Sequence, residues 1–148
     1  MMDRIVNSIV VLKMAFIRLF LWYPLIRLTR RPRDTQKKLL LHILRTNKDT
    51  SYGQKHGFAG IASIDDYRAT VPINRYEELR EYISKQDAEN KPHLTSRQPV
   101  MYAQTSGTTS EPKYIPILKQ TIVQHRRSQH IAAFAKYLAI PGVFAGKV

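Results

Sequence analysis

Residues 102–116, YAQTSGTTSEPKYIP, gather small hydroxyl side chains, one glycine and one lysine into a single short stretch. Thr105, Ser106, Gly107, Thr108, Thr109 and Ser110 supply backbone N–H groups and five hydroxyls with no bulky side chain among them. Such a segment can close around phosphate oxygens. Small residues let the main chain approach the anion, hydroxyls add donors, and Lys113 brings a positive charge on a mobile stem. The spacing is not that of the Walker A loop, because Pro112 precedes Lys113 and Tyr114 follows it. Loops of this composition are also ordinary polar turns between strands. Glu111 weighs on that side, since a carboxylate beside a polyphosphate repels it unless it points elsewhere.

The flanking sequence has to present this loop. Val100, Met101 and Tyr102 look like the end of a strand, and Tyr114 to Ile117 looks extended. A long helix is expected over Lys119 to Ala139, with Ile122, Ile131, Phe134, Ala135 and Leu138 facing inward. His125, Arg126, Arg127 and His130 lie on the same segment without a carboxylate or cysteine to complete a metal shell, so they read as a solvated or partner-facing side. The strand, loop, strand and helix succession indicates an α/β domain, with helical cover from the N-terminal half.

Upstream, Ile5 to Leu28 is the most apolar stretch. Its Ile, Val, Leu and Phe residues contribute roughly −4 to −8 kcal/mol towards membrane insertion, and central Lys13 and Arg18 oppose with about +5 to +7 kcal/mol. Spanning is therefore marginal, and Pro24 weakens it further. Arg4, Ser8, Val11 and Arg18 fall near one line, which leaves a narrow polar stripe on an otherwise apolar helix that wants cover on most sides. Docking on the rest of the protein and lying in a membrane interface, with Arg30, Arg31 and Arg33 at the headgroups, both satisfy that need. Asp34 or Thr35 can cap a second helix to about Asn47, with Leu39, Leu40, Ile43 and Leu44 on one face. Lys48 to Gly60 reads as a structured loop whose glycines do not have dinucleotide-binding spacing, and His56 reads as a loop hydrogen-bonder. Ser63 to Asp66 has the form of a capping box opening a helix that ends before Pro72, and Asn74 to Glu77 repeats the device. Tyr76, Leu79, Tyr82 and Ile83 then mark a helix to about Gln86, with Glu77, Glu78, Glu81, Arg75, Arg80 and Lys85 as its solvated face. Asp87 to Gln98 is a polar connector.

The 148 residues carry 24 Lys and Arg against 11 Asp and Glu, a formal charge of +13. That excess points to an anionic partner. No nucleic-acid motif or aromatic platform accompanies the basic residues, so nucleic acid is not the expected one. The absence of cysteine removes disulfides, thiolate metal sites and thiol catalysis, and fits a reducing cytoplasm.

The order Thr105-Ser106-Gly107-Thr108-Thr109-Ser110-Glu111-Pro112-Lys113, preceded by Tyr102, resembles the phosphate loop of the adenylate-forming superfamily. Lys113-Tyr114-Ile115-Pro116, with Thr50-Ser51-Tyr52-Gly53, His56-Gly57-Phe58, Val71-Pro72-Ile73 and Tyr76-Glu77-Glu78-Leu79, is similar to the auxin-responsive acyl acid amido synthetases (the Gretchen Hagen three family) and their bacterial relatives. Ser110 stands where that pattern commonly has glycine, and Leu118 where it often has threonine. The resemblance covers roughly residues 36–116. It implies an N-terminal portion of the large adenylate-forming domain over residues 34–148, preceded by an apolar and basic helix and linker over 1–33, with adenine-binding and acyl-binding parts following Val148. It further implies ATP and Mg²⁺ as cofactors, and a carboxylic acid and an amino acid as partners. On that basis Thr105, Ser106, Thr108 and Thr109 would bond phosphate, Gly107 would let the backbone approach, and Lys113 would meet the β- and γ-phosphates. No residue is expected to act as nucleophile or base. An acyl-CoA ligase would share the first step, and a basic non-catalytic module binding membrane or nucleic acid would need neither Ser106 nor Lys113.

Overall fold

The computed structural model describes residues 2–106, 111–140 and 142–144. In chain order it contains α1 (Met2–Ile17), a π-helical turn (Arg18–Trp22), α2 (Tyr23–Thr29), α3 (Pro32–Asn47), α4 (Ser51–Lys55), a 3-10 turn (Phe58–Gly60), α5 (Ile64–Thr70), α6 (Tyr76–Glu89), β1 (Met101–Gln104), β2 (Tyr114–Ile117) and α7 (Lys119–Ala139). The described residues are mostly helical, with one two-stranded sheet, an arrangement compatible with the N-terminal segment of an α/β protein. Two compact units form: Met1–Pro32 with Gln120–Val148, and Arg33–Lys119.

In the first unit, the helix continues through Pro24, the residue expected to weaken a membrane span. Proline removes one backbone donor, and the turn just ahead of it is π-helical, with the Tyr23 N–H reaching Arg18 O across five residues. Met14, Ile17 and Phe134 form the buried centre, flanked by Val10, Leu21, Trp22 and Tyr137. Trp22 meets Phe134 edge-on at 5.3 Å between ring centroids. The expected inner face of α7 is corrected at one position: Leu138 is exposed, and Tyr137 packs at the centre in its place.

The second unit holds the other core: Leu44, Tyr52, Phe58, Ile61 and Val71, with Leu40, Leu41, Tyr67, Leu79, Tyr82 and Leu94 against them. Helix α3 starts at Pro32, ahead of the expected cap, because proline suits a first turn whose N–H groups lack helical partners. Asp34 then lies in that turn, near the positive helix end. Its buried stripe is Leu40, Leu41 and Leu44, while Leu39 and Ile43, expected inside, are exposed.

The 48–60 region is more regular than expected. Thr50 is almost fully buried; its Oγ1 accepts the Gly53 N–H at 2.9 Å and donates to Asn47 O at 2.8 Å, so it caps α4 and ties it to α3. A Cβ on Gly53 would lie 2.1 Å from Asn47 O, and Gly57 takes φ +58, so both glycines answer to backbone geometry. His56, expected as a hydrogen-bonder, lays its ring against Tyr52 at 4.3 Å; burial first, then Lys55, pull its pKa below the usual imidazole value.

Helix α5 opens on the expected capping box. The Asp66 N–H donates to Ser63 Oγ at 3.0 Å, and Asp66 Oδ2 accepts from Ala62 and Ser63 N–H, bonds that hold its carboxyl below the ordinary range. The repeat at Asn74 is not a cap. The Asn74 amide donates to Tyr52 Oη and to Pro72 O, both at 2.7 Å. At the start of α6, Glu78 Oε2 accepts the Arg75 N–H at 2.5 Å, and Arg75 itself has no acceptor with which to close a box. The helix runs to Glu89, past Gln86, and stops where Asn90 turns left-handed at φ +53.

Gln86 organises what the sequence offers only as a polar connector. Its side chain is 2% exposed. Oε1 accepts the N–H groups of Leu94 and Thr95 at 2.8 and 2.9 Å, and Nε2 donates to Thr95 Oγ1 at 2.7 Å and Arg97 O at 3.1 Å. Asn47 Oδ1 receives the Ser96 N–H, and Pro92 O and His93 O receive the N–H groups of Ser51 and Tyr52. The connector is therefore fastened to α3, α4 and α6 before it enters β1. Replacing Gln86 by Leu leaves two inward-facing donors unpaired, at about 1–3 kcal/mol each. The expected loss is about 2–6 kcal/mol of unfolding free energy, read as a lower urea midpoint; an unchanged midpoint would contradict this role.

Candidate phosphate-binding site

Strands β1 and β2 pair antiparallel, with Met101 opposite Ile117, Tyr102 opposite Pro116, Ala103 opposite Ile115 and Gln104 opposite Tyr114. The hydroxyl-rich segment is the connection between them. Thr105 and Lys113 close its neck: the Thr105 N–H donates to Lys113 O, and the Lys113 N–H donates to Thr105 Oγ1, both at 3.1 Å. The Thr105 hydroxyl oxygen thus serves the loop itself. Ser106 is exposed next to this neck, and Gly107, Thr108 and Thr109, with Ser110, lie outside the described residues.

Helix α6 carries the second arm of the loop. Tyr76 Oη accepts the Tyr114 N–H at 2.8 Å, and the Lys113 ammonium lies 5.6 Å from the centre of the Tyr76 ring. Glu77 Oε1 is 4.0 Å from Lys113 Nζ. Lys113 is therefore positioned from below by an aromatic face and from the side by a carboxylate. Glu111 Oε2 accepts from Arg80 Nη1 at 2.6 Å. That pair offsets part of the repulsion between a carboxylate and a neighbouring anion site. Arg80 also lies 5.5 Å from the Tyr76 ring centre, so this one ring meets two cations.

Arg80 and Glu77 were assigned to a solvated charge face; both keep their solvent exposure, and the structure adds to this reading by giving them partners more than thirty positions away. Their alternation with other charges on α6 hid the role. Only the presence of Tyr76-Glu77 among the motif blocks hinted at it.

Between α6 and the hairpin is a groove of about 580 Å³, bordered by Tyr76, Arg80, Tyr102, Gln104, Glu111 and Tyr114. Ser84 and Asp87 complete one wall. The Tyr102 hydroxyl is buried on the Asp87 side of the groove. Burial first, then the charge of the Asp87 carboxylate and a hydrogen bond to it, raise its pKa, so it stays a neutral donor. Among the described residues no group of three or more His, Cys, Asp or Glu could hold a metal ion.

A hairpin whose connection is rich in hydroxyls, fixed on a helix that also positions a lysine, fits a family in which this segment opens a larger enzyme. The GH3 family N-terminal domain matches residues 24–148, and the chain belongs to this family. Among its relatives, the chain is 27% identical over 122 residues to the probable indole-3-acetic acid-amido synthetase GH3.1 of Arabidopsis thaliana, covering 81% of this chain and 21% of that protein. It is 26% identical over 122 residues to the indole-3-acetic acid-amido synthetase GH3.2 of the same plant, covering 81% and 22%. The probable indole-3-acetic acid-amido synthetase GH3.12 of Oryza sativa subsp. japonica is 33% identical over 84 residues, covering 56% of this chain and 14% of that protein. The chain spans about a fifth of the length of the first two of these curated relatives. The resemblance to the Gretchen Hagen three family, read from residues 113–116 and the upstream blocks, stands on these matches.

Substituting Thr105 by Val keeps the shape of the side chain and removes the acceptor of the Lys113 N–H. One neutral hydrogen bond is worth about 0.5–1.5 kcal/mol, so the Lys113 amide should exchange with solvent roughly three- to tenfold faster while global stability changes little. Unaltered exchange at Lys113 would show that the neck is held by something else.

Proposed function

We propose that this chain is the phosphate-loop portion of an ATP-dependent acyl acid amido synthetase of the adenylate-forming kind. The reading rests on family membership, on relatives named as indole-3-acetic acid-amido synthetases, and on one geometric observation. That observation is Lys113, fixed at the neck of the hydroxyl-rich loop with its ammonium half-exposed above Tyr76.

In the proposed reaction a carboxylate oxygen attacks the α-phosphorus of ATP, and pyrophosphate leaves with the electron pair of the broken P–O bond. The acyl-adenylate is then attacked at its carbonyl carbon by an amino acid amine, giving an amide, AMP and a released proton. The first step is limited by charge that develops on the departing pyrophosphate, and donors already aimed at that charge lower the barrier. Lys113 would serve the β- and γ-phosphates, Ser106, Thr108 and Thr109 would donate hydrogen bonds, and Gly107 would let the main chain come close. Thr105 has a second duty, because its hydroxyl oxygen already accepts from the Lys113 N–H. Mg²⁺ is commonly held by one or two carboxylates together with substrate phosphates.

The acid and the amine would be selected by parts of the enzyme outside these residues. In the enzyme that carries this segment, Lys113→Ala should reduce acid-dependent ATP–pyrophosphate exchange about a hundredfold, as expected for loss of one donor to developing charge, and leave the thermal midpoint close to wild type. Wild-type exchange in that variant would overturn the assignment. Supplying CoA in place of a panel of amino acids as acceptor separates amide from thioester formation.

A further inference from the structure

The helical rod of α1, the π turn and α2 has two apolar sides, and among the described residues only one is covered within its unit. Val10, Met14, Ile17 and Leu21 face the seam with Phe134. Ile9, Leu12, Phe16, Leu19, Phe20 and Tyr23 form a second, exposed stripe at helical spacing, with Leu12 73% and Phe16 59% exposed and with Leu19 and Tyr23 at the margin nearest Phe134. The Phe16 and Phe20 rings meet in a tilted contact, 4.6 Å between centroids, in that stripe. Six large apolar side chains in line are more than the scattered hydrophobics of an ordinary surface.

Next to the stripe is a groove of about 530 Å³, where Leu19, Tyr23, Pro24, Ile26 and Leu28 make the walls and Arg27 and Arg30 line the same space. Arg18 is drawn to the Tyr23 hydroxyl at 2.7 Å, which holds its guanidinium at the stripe's end. Between Arg4 and Arg33 the sequence contains Lys13, Arg18, Arg27, Arg30 and Arg31 and no acidic residue. The match to the family domain begins at residue 24, so most of the stripe precedes the part shared with the family.

We propose that this face binds the surface of an anionic phospholipid bilayer, with the stripe among the acyl chains and Arg27 and Arg30 on headgroup phosphates. Three observations favour an in-plane helix over a spanning one. One side of the rod is committed to Phe134, Lys13 and Arg18 sit mid-segment, and the basic cluster lies at one end beside the stripe. Asn7–Thr29 is long and apolar enough to cross a membrane by length and composition, and 11% of its most apolar stretch is buried, so its apolar surface is open to lipid in either orientation. An interfacial helix shows that combination of a large apolar face and flanking cations. This inference stands apart from the ligation chemistry, and neither depends on the other.

The test is co-sedimentation of the whole chain with vesicles of phosphatidylcholine alone and of phosphatidylcholine mixed with phosphatidylglycerol. Wild type should bind the mixed vesicles, weaken as salt rises, and bind the neutral ones far less. Arg27→Ala with Arg30→Ala should lower binding roughly tenfold or more, and Leu12→Glu with Phe16→Glu should abolish it. These side chains are exposed, so circular dichroism should show both double variants folded. The proposal is overturned if wild type fails to bind mixed vesicles, if either folded variant binds like wild type, or if neutral and anionic vesicles bind equally. Resistance to alkaline carbonate extraction would overturn it in favour of a spanning helix. A solution dimer that the Leu12 and Phe16 changes dissolve, with no vesicle binding, would overturn it in favour of a second copy of the chain.

Discussion

A two-stranded hairpin has too little burial to be stable alone, and β1 with β2 is the one sheet among the described residues. Its geometry therefore depends on helix α6. Tyr76 at the start of that helix receives the Tyr114 N–H, Arg80 one turn later takes Glu111, and Gln86 towards its end grips the connector that leads into β1. The buried amide matters most for position. Oε1 and Nε2 of Gln86 pair with backbone groups on both sides of Thr95, so the chain enters the strand from a fixed point. Helix α6 is itself anchored by Ile83, Leu79 and Tyr82, and the last two join the core built on Leu44 and Tyr52.

The electrostatics of the loop follow from the same helix. Lys113 shares Tyr76 with Arg80 and lies at the edge of contact with Glu77. An exposed ion pair is worth about 0–1 kcal/mol and a cation–π contact at an exposed site about 0.5–1 kcal/mol. A hydrogen bond to a charged group contributes about 1.5–3 kcal/mol, and a polyphosphate offers several such bonds. Under the proposed function Lys113 is thus held weakly enough to transfer to an anion and firmly enough to start in the right place. Glu111 opposes that transfer, and its pairing with Arg80 offsets part of the repulsion.

Local rules made much of this legible in the sequence. The Ser63 capping box, the 3.6-residue recurrence in α6, the extended arms of the hairpin and the span of α7 all depend on neighbours within a turn or a strand. The departures arise where distant residues decide. The buried face of α3 moved to Leu41 because that side meets Tyr52 and Phe58, and Asn74 left its expected cap for the Tyr52 hydroxyl. The 48–60 region became helical because Thr50 could satisfy both Asn47 and Gly53. Gln86 and Arg80 could not be singled out, since their partners Thr95 and Glu111 lie 9 and 31 positions away and nothing local marks the pairing. The site was legible as a loop composition, and its supporting shell was not.

The most direct test of the central claim is a crystal structure of the enzyme carrying this segment, bound to magnesium and a non-hydrolysable ATP analogue. The account predicts that phosphate oxygens lie within hydrogen-bonding distance of Lys113 Nζ, with that ammonium withdrawn from Tyr76 and Glu77 and with Arg80 still on Glu111. A triphosphate bound away from residues 105–113, with Lys113 still resting on Tyr76, would contradict it.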